Sequence, residues 1–95
     1  MGYAKMESTT GLVGRSVLVV EDEPLIALEL KELFEHGGAR VHVAFTPIDA
    51  LRLVEETSLS VAVLDFGSRG DDNAPLCRTL HAHGIPLMTT LDLMT

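Results

Sequence analysis

Two short apolar runs in this chain end in carboxylates. Residues 17–20, Val-Leu-Val-Val, run into Glu21 and Asp22, and residues 60–64, Ser-Val-Ala-Val-Leu, run into Asp65. If the two runs are neighbouring strands, the three acids meet at one rim. In an open parallel sheet, ligands bind outside the carboxyl ends of the strands. Carboxylates gathered there suit a hard divalent cation that takes oxygen ligands. The plainer alternative is a solvated strand-to-helix turn, but that leaves the coincidence with Asp65 unexplained.

Other reactive side chains are less organised. His36, His42, His81 and His83 form no compact ligand pattern. His81 and His83 stand two apart on an expected helix and point in different directions. Cys77 has no base near it in sequence and fits a buried helix position better than a nucleophile. Gly11-Leu12-Val13-Gly14 precedes the first strand, which is the wrong place for a dinucleotide loop. No Ser-His-Asp arrangement stands out.

The elements that must position the acids alternate along the chain. The first strand, residues 16–20, is apolar throughout, as a strand covered on both faces should be. Pro24 suits the first position of a helix. The spacing predicts a helix over 25–36 whose Ile26, Ala27, Leu30, Leu33 and Phe34 share one face. Leu25 and Leu28 fall outside that arc, and Gly37-Gly38 permits a stop. A second strand is expected over 41–45. Thr46 then reads as an N-cap, with Pro47 first in a helix that continues through Ile48, Leu51 and Val54. The third strand is expected over 61–65, and residues 66–72 have turn chemistry. A third helix over 74–83 turns Leu76, Cys77 and Leu80 inward and ends at Gly84. The fourth strand candidate is 87–91. Strands and helices alternating at these lengths imply a parallel sheet with right-handed crossovers.

Composition bounds the function. Ninety-five residues make one domain at most. Residues 1–15 read as a flexible lead-in and residues 16–95 as the folded unit. A formal net charge of −7 argues against nucleic acid as a direct partner. A single cysteine excludes an internal disulfide and fits a reducing, cytoplasmic compartment. No apolar stretch reaches the roughly 18 residues of a membrane span, and the N-terminus lacks the apolar region of a signal peptide.

Three blocks carry a family resemblance. Residues 17–27, Val-Leu-Val-Val-Glu-Asp-Glu-Pro-Leu-Ile-Ala, resemble the opening of a two-component response-regulator receiver domain. Residues 61–65, Val-Ala-Val-Leu-Asp, resemble its third strand and phospho-acceptor. Residues 83–88, His-Gly-Ile-Pro-Leu-Met, resemble its approach to strand four. The spacings between the blocks also fit. The resemblance implies a flavodoxin-like α/β fold with an open parallel sheet in the order 2-1-3-4, here without the usual fifth strand and last helices. It implies Asp65 as phospho-acceptor. It implies Mg²⁺ held by Glu21, Asp22, Asp65 and the carbonyl of Gly67. A histidine kinase or phosphotransfer protein would be the donor, and another signalling protein the output.

Departures from the receiver pattern qualify these expectations. The family's strand-five lysine has no counterpart, since Lys5 and Lys31 are the only lysines. The switch hydroxyl is expected at Leu91, so Thr90 is the nearest candidate. Arg69 stands where a loop proline is usual. A sheet ending at strand four would leave apolar surface around that strand and around Leu25 and Leu28, from which a homodimer through strand four and the first helix is expected. The leading reading is a non-enzymatic signalling receiver. The alternative is a receiver-derived dimerisation or interaction protein that works without phosphorylation. A small metal-using phosphohydrolase is the least supported, because no general-base histidine is apparent.

Overall fold

The computed structural model describes residues 12–64 and 73–89. In chain order its elements are β1 (Ser16–Val20), α1 (Pro24–His36), β2 (Arg40–Ala44), α2 (Pro47–Glu56), β3 (Val61–Leu64), α3 (Ala74–Ala82) and β4 (Leu87–Thr89). The strands form one parallel sheet in the order β2-β1-β3-β4. The fold is the flavodoxin-like α/β arrangement expected from the sequence. No described helix is long and apolar enough to cross a membrane.

The register explains why β1 is apolar at every position. Leu18 and Val20 join Ala44, Ala62 and Leu64 on one sheet face, packed against Ala50 and Val54 of α2 and Leu76 and Leu80 of α3. Val17, Val19 and Val63 lie on the other face with Phe34 of α1 and Ala39. A strand between two such layers has no solvent side, so an alternating pattern would place polar groups in the core.

Expected and observed elements differ in instructive places. On α1, Ala27 and Phe34 are buried and Leu30 packs against the core, but Ile26 and Leu33 are exposed. A helix lying on a sheet makes contact along a narrow stripe, here 27-30-34, and the wider apolar arc extends past it. β2 runs one residue earlier than expected because it is held in register with β1 from Ser16↔Arg40 to Val20↔Ala44. Phe45 therefore falls outside the strand and is exposed. The Thr46 cap is present, its Oγ1 accepting from the Asp49 N–H at 3.1 Å. Ile48, one position into the helix, is also exposed. α3 ends at Ala82, with His83 as its cap and Gly84 turning away at φ +70°.

Residues 12–15 are tied into the fold. The Arg15 N–H donates to the Leu12 carbonyl, Gly14 N–H to the Gly38 carbonyl, and Arg40 N–H to the Arg15 carbonyl. Leu12 packs beside Phe34 and Val17 in the smaller core cluster.

Gly38 makes this closure possible. Its φ is +94°, and a Cβ there would lie 3.0 Å from Val13 Cγ2 and 3.2 Å from Val13 Cα. Gly84 also has positive φ, but a Cβ there would meet nothing within 4 Å. Gly38→Ala is therefore expected to cost about 2 kcal/mol and Gly84→Ala about 1 kcal/mol. Urea midpoints at an unchanged slope measure both. Equal losses would show that the Val13 backbone yields without cost.

Candidate functional site

The four strands end at one rim. Val20 pairs with both Ala44 and Leu64, and Leu64 pairs with Thr89. Glu21 prolongs the β1 ladder by one bond, its N–H donating to the Ala44 carbonyl at 3.0 Å. The chain then turns at once into α1. Glu21 Oε1 accepts from the Glu23 N–H at 3.2 Å, and the Glu23 carbonyl accepts from the Ala27 N–H at 3.0 Å. Pro24 occupies the first turn of α1, where its missing N–H is no loss.

The two acids of this turn differ in environment. Glu21 is only 2% exposed, whereas Asp22 is open to solvent. A carboxylate leaves water at a cost that hydrogen bonds and favourable dipoles must offset. The Glu23 amide supplies one such bond, and the positive end of the α1 dipole lies beside it. The strand end thus holds one fixed carboxylate next to one that can reorient.

Of the site residues expected from the sequence, the structure describes Glu21 and Asp22. Asp65, Gly67 and Thr90 lie outside the described residues, as do Arg69 and Leu91. Each expected strand-end group nevertheless follows a paired position. Glu21 follows Val20, Asp65 follows Leu64, and Thr90 follows Thr89 in sequence, and Val20, Leu64 and Thr89 are consecutive partners across the sheet. Among the described residues, no three His, Cys, Asp or Glu side chains converge as a metal-binding group.

The remaining reactive groups stay apart from this rim. His83 Nε2 lies 3.9 Å from Glu55 Oε2, joining the end of α3 to α2. Cys77 is half-buried on α3, and burial raises its thiol pKa while neighbouring Arg78 opposes the shift. The reactive thiolate is therefore scarcer than in an unfolded chain at any pH below the ordinary thiol range. Iodoacetamide at pH 8 is expected to label Cys77 more slowly in the folded protein than in urea. Equal rates would show that the thiol titrates as if in water.

The sequence reading did not find the exposed apolar pair beside the acids, Phe45 and Ile48. No signal in the sequence marks Phe45, because it continues the alternation of Val41 and Val43 and only pairing with β1 ends the ladder at Ala44.

No family model and no curated protein matches the chain. Solved structures do. The receiver domain of Francisella response regulator 1452 is 31% identical over 80% of this chain and 64% of its own length, with a TM-score of 0.68. SdrG from Pseudomonas melonis Fr1, in its BeF3-activated conformation, is 34% identical over 78% of this chain and 64% of its own, with a TM-score of 0.67. The response regulator PhyR from Brucella abortus is 26% identical over 90% of this chain, with a TM-score of 0.72. The chain spans just under two-thirds of the first two structures and 37% of the PhyR chain. With the strand order β2-β1-β3-β4 and an acid pair closing β1, the chain is similar to response-regulator receiver domains.

Proposed function

We propose that this receiver domain accepts a phosphoryl group on Asp65 and passes the signal on by binding another protein. The observation that carries the reading is the pairing of Val20 with Leu64, because Glu21 and Asp65 are the next residues in sequence. A carboxylate oxygen of Asp65 attacks phosphorus, and the P–N bond of a phosphohistidine donor breaks with its electron pair going to the imidazole. The product is an acyl phosphate on Asp65 and a free histidine on the donor. The relative SdrG, with its BeF3-activated conformation, is in keeping with this reading.

The donor set fits Mg²⁺. Glu21 and Asp22 offer carboxylate oxygens at a strand end, and Asp65 and the carbonyl of Gly67 would complete an all-oxygen set. Bound there, the ion would offset repulsion between the carboxylates and an incoming phosphoryl group. Glu21, fixed by the Glu23 amide, would orient the set. Asp22, solvent-exposed, would adjust to the ligand. Mg²⁺ at ten times its dissociation constant is expected to stabilise the domain by about 1.4 kcal/mol. Asp22→Asn should weaken that response. Chemical denaturation with Mg²⁺ against EDTA decides, and an identical wild-type midpoint in both would refute the metal site.

A second reading, interaction without phosphorylation, is favoured by the exposure of Leu25, Leu28 and Leu87. These would serve a homodimer through α1 and β4. Sedimentation at micromolar concentration tests it, and a 10.3 kDa species throughout would remove the dimer.

A further inference from the structure

α1 covers only part of its side of the sheet. Among the described helices it is the one on that side, and it packs on β2 and β1. Yet Val63 of β3 is 1% exposed, and Val61 of β3 and Met88 of β4 are half-buried in the same cluster. The register keeps these side chains on the α1 side, since Val17 pairs with Val61, Val19 with Val63, and Val63 with Met88. A helix is about 10 Å across, and β4 lies two strands from β1, roughly 10 Å away. A helix seated over β1 and β2 therefore leaves β4 beyond its edge. β4 also ends the described sheet, so Met88 on a bare face would be open to water. Its partial burial calls for a second layer beside α1.

The chain enters the fold at this place. Leu12 packs in the same cluster, beside Phe34 and Val17. Its corner is pinned by the bonds from Arg15 N–H to the Leu12 carbonyl and from Gly14 N–H to the Gly38 carbonyl. Val13 lies against Gly38, at the turn between α1 and β2. With α1 and its last turn on one flank, the open ground ahead of Leu12 is over β3 and β4. Eleven residues precede Leu12. Even as a helix they would reach about 16 Å, enough to cross from β1 to β4. Tyr3 and Met6 stand three apart among them, so one helical turn would bring both to one face. Residues 90–95 are the poorer fit, because they follow β4 at the carboxyl rim and would have to double back.

We propose that residues 1–11 fold back as a strap over the α1 side of β3 and β4, with Tyr3 and Met6 covering Val63 and Met88. Tyr3 supplies most of the contact area and can keep its hydroxyl at the wet margin of the strap. A strap in this position occupies the side of β4 on which a dimer through α1 and β4 would form, so the two exclude each other. Packing alone holds it, and neither Asp65 nor a metal ion takes part.

Tyr3 is the chain's one tyrosine, and the chain has no tryptophan, so tyrosine fluorescence reports on the strap directly. Acrylamide should quench it less in the folded full chain than in urea. NMR of the methyl-labelled full chain should show contacts from the Tyr3 ring to the methyls of Val63 and Met88. In Tyr3→Ser with Met6→Ser, those two methyl signals should shift, while the methyls of Leu76 and Leu80 on the opposite face hold their positions and show that the fold is intact. Equal quenching in buffer and urea would overturn the proposal. So would unmoved Val63 and Met88 signals in the double variant, or contacts to Val63 that come from Leu91 or Leu93 instead of Tyr3. Contacts from Tyr3 seen only between differently labelled molecules in a mixed sample would assign the cover to a second copy and overturn the strap.

Discussion

Asp65→Asn is expected to abolish phosphoryl incorporation from acetyl phosphate in Mg²⁺ while leaving the domain folded. The loss should be complete, because an amide oxygen carries no negative charge and cannot form the acyl phosphate. The fold should survive because the described ladder of β3 is carried by residues before position 65. β3 is held by Ala62, Val63 and Leu64, whose partners are Leu18, Val19 and Val20 on one side and Leu87, Met88 and Thr89 on the other. If Asp65 joins Glu21 and Asp22 as proposed, replacing it also removes like-charge repulsion, so stability should stay level or rise slightly. Intact mass reads the incorporation, and a urea titration reads the fold. Label that persists in Asp65→Asn would move the acceptor elsewhere. Wild-type protein that takes no label from acetyl phosphate or from a kinase would end the phosphorylation reading.

Both the legible and the illegible parts of this chain have physical causes. β1 could be read to the residue because a strand buried on both faces must be continuously apolar, and because the Glu21-Asp22-Glu23-Pro24 turn ends it sharply. The start of α2 was equally legible, since a Thr-Pro pair at the cap and first helical position has few other uses. The end of β2 was not legible. Val41, Val43 and Phe45 alternate as a strand should, and only pairing with β1 decides that the ladder stops at Ala44. The buried face of α1 was overestimated for a related reason. Periodicity gives the width of an apolar arc, but the layer beneath decides how much of it is covered, and Ile26 and Leu33 stay outside. At the site, the acid pair and its strand were legible in the residues themselves. They did not give the contrast between buried Glu21 and exposed Asp22, which arises from the Glu21–Glu23 hydrogen bond at the turn.

Leu18→Ala is expected to cost about 3–5 kcal/mol, the range for truncating a fully buried leucine that its surroundings cannot refill. Leu18 has no exposed surface and lies in β1, between β2 and β3. Several side chains in its cluster are short: Ala44, Ala50 and Ala62. They cannot extend into the space, and the parallel ladders on both sides of β1 keep the backbone from closing it. The core has no tryptophan to share the load, and Leu18, Leu64, Leu76 and Leu80 are the largest fully buried side chains among the described residues. A domain this small has total stability of the same order as the loss, so a measurable fraction should be unfolded at 25 °C without denaturant. The consequence reaches the site, because β1 carries Glu21 and Asp22 and holds β3 in register with them. On the proposed metal site, Mg²⁺ should recover part of the folded population of Leu18→Ala by mass action. Leu25→Ala, at a side chain 71% exposed, should change stability by no more than about 0.5 kcal/mol. Circular dichroism at 222 nm across a urea series compares the two variants, and a Leu18→Ala midpoint as close to wild type as that of Leu25→Ala would mean that the two-layer core is not what holds the acid-bearing strand.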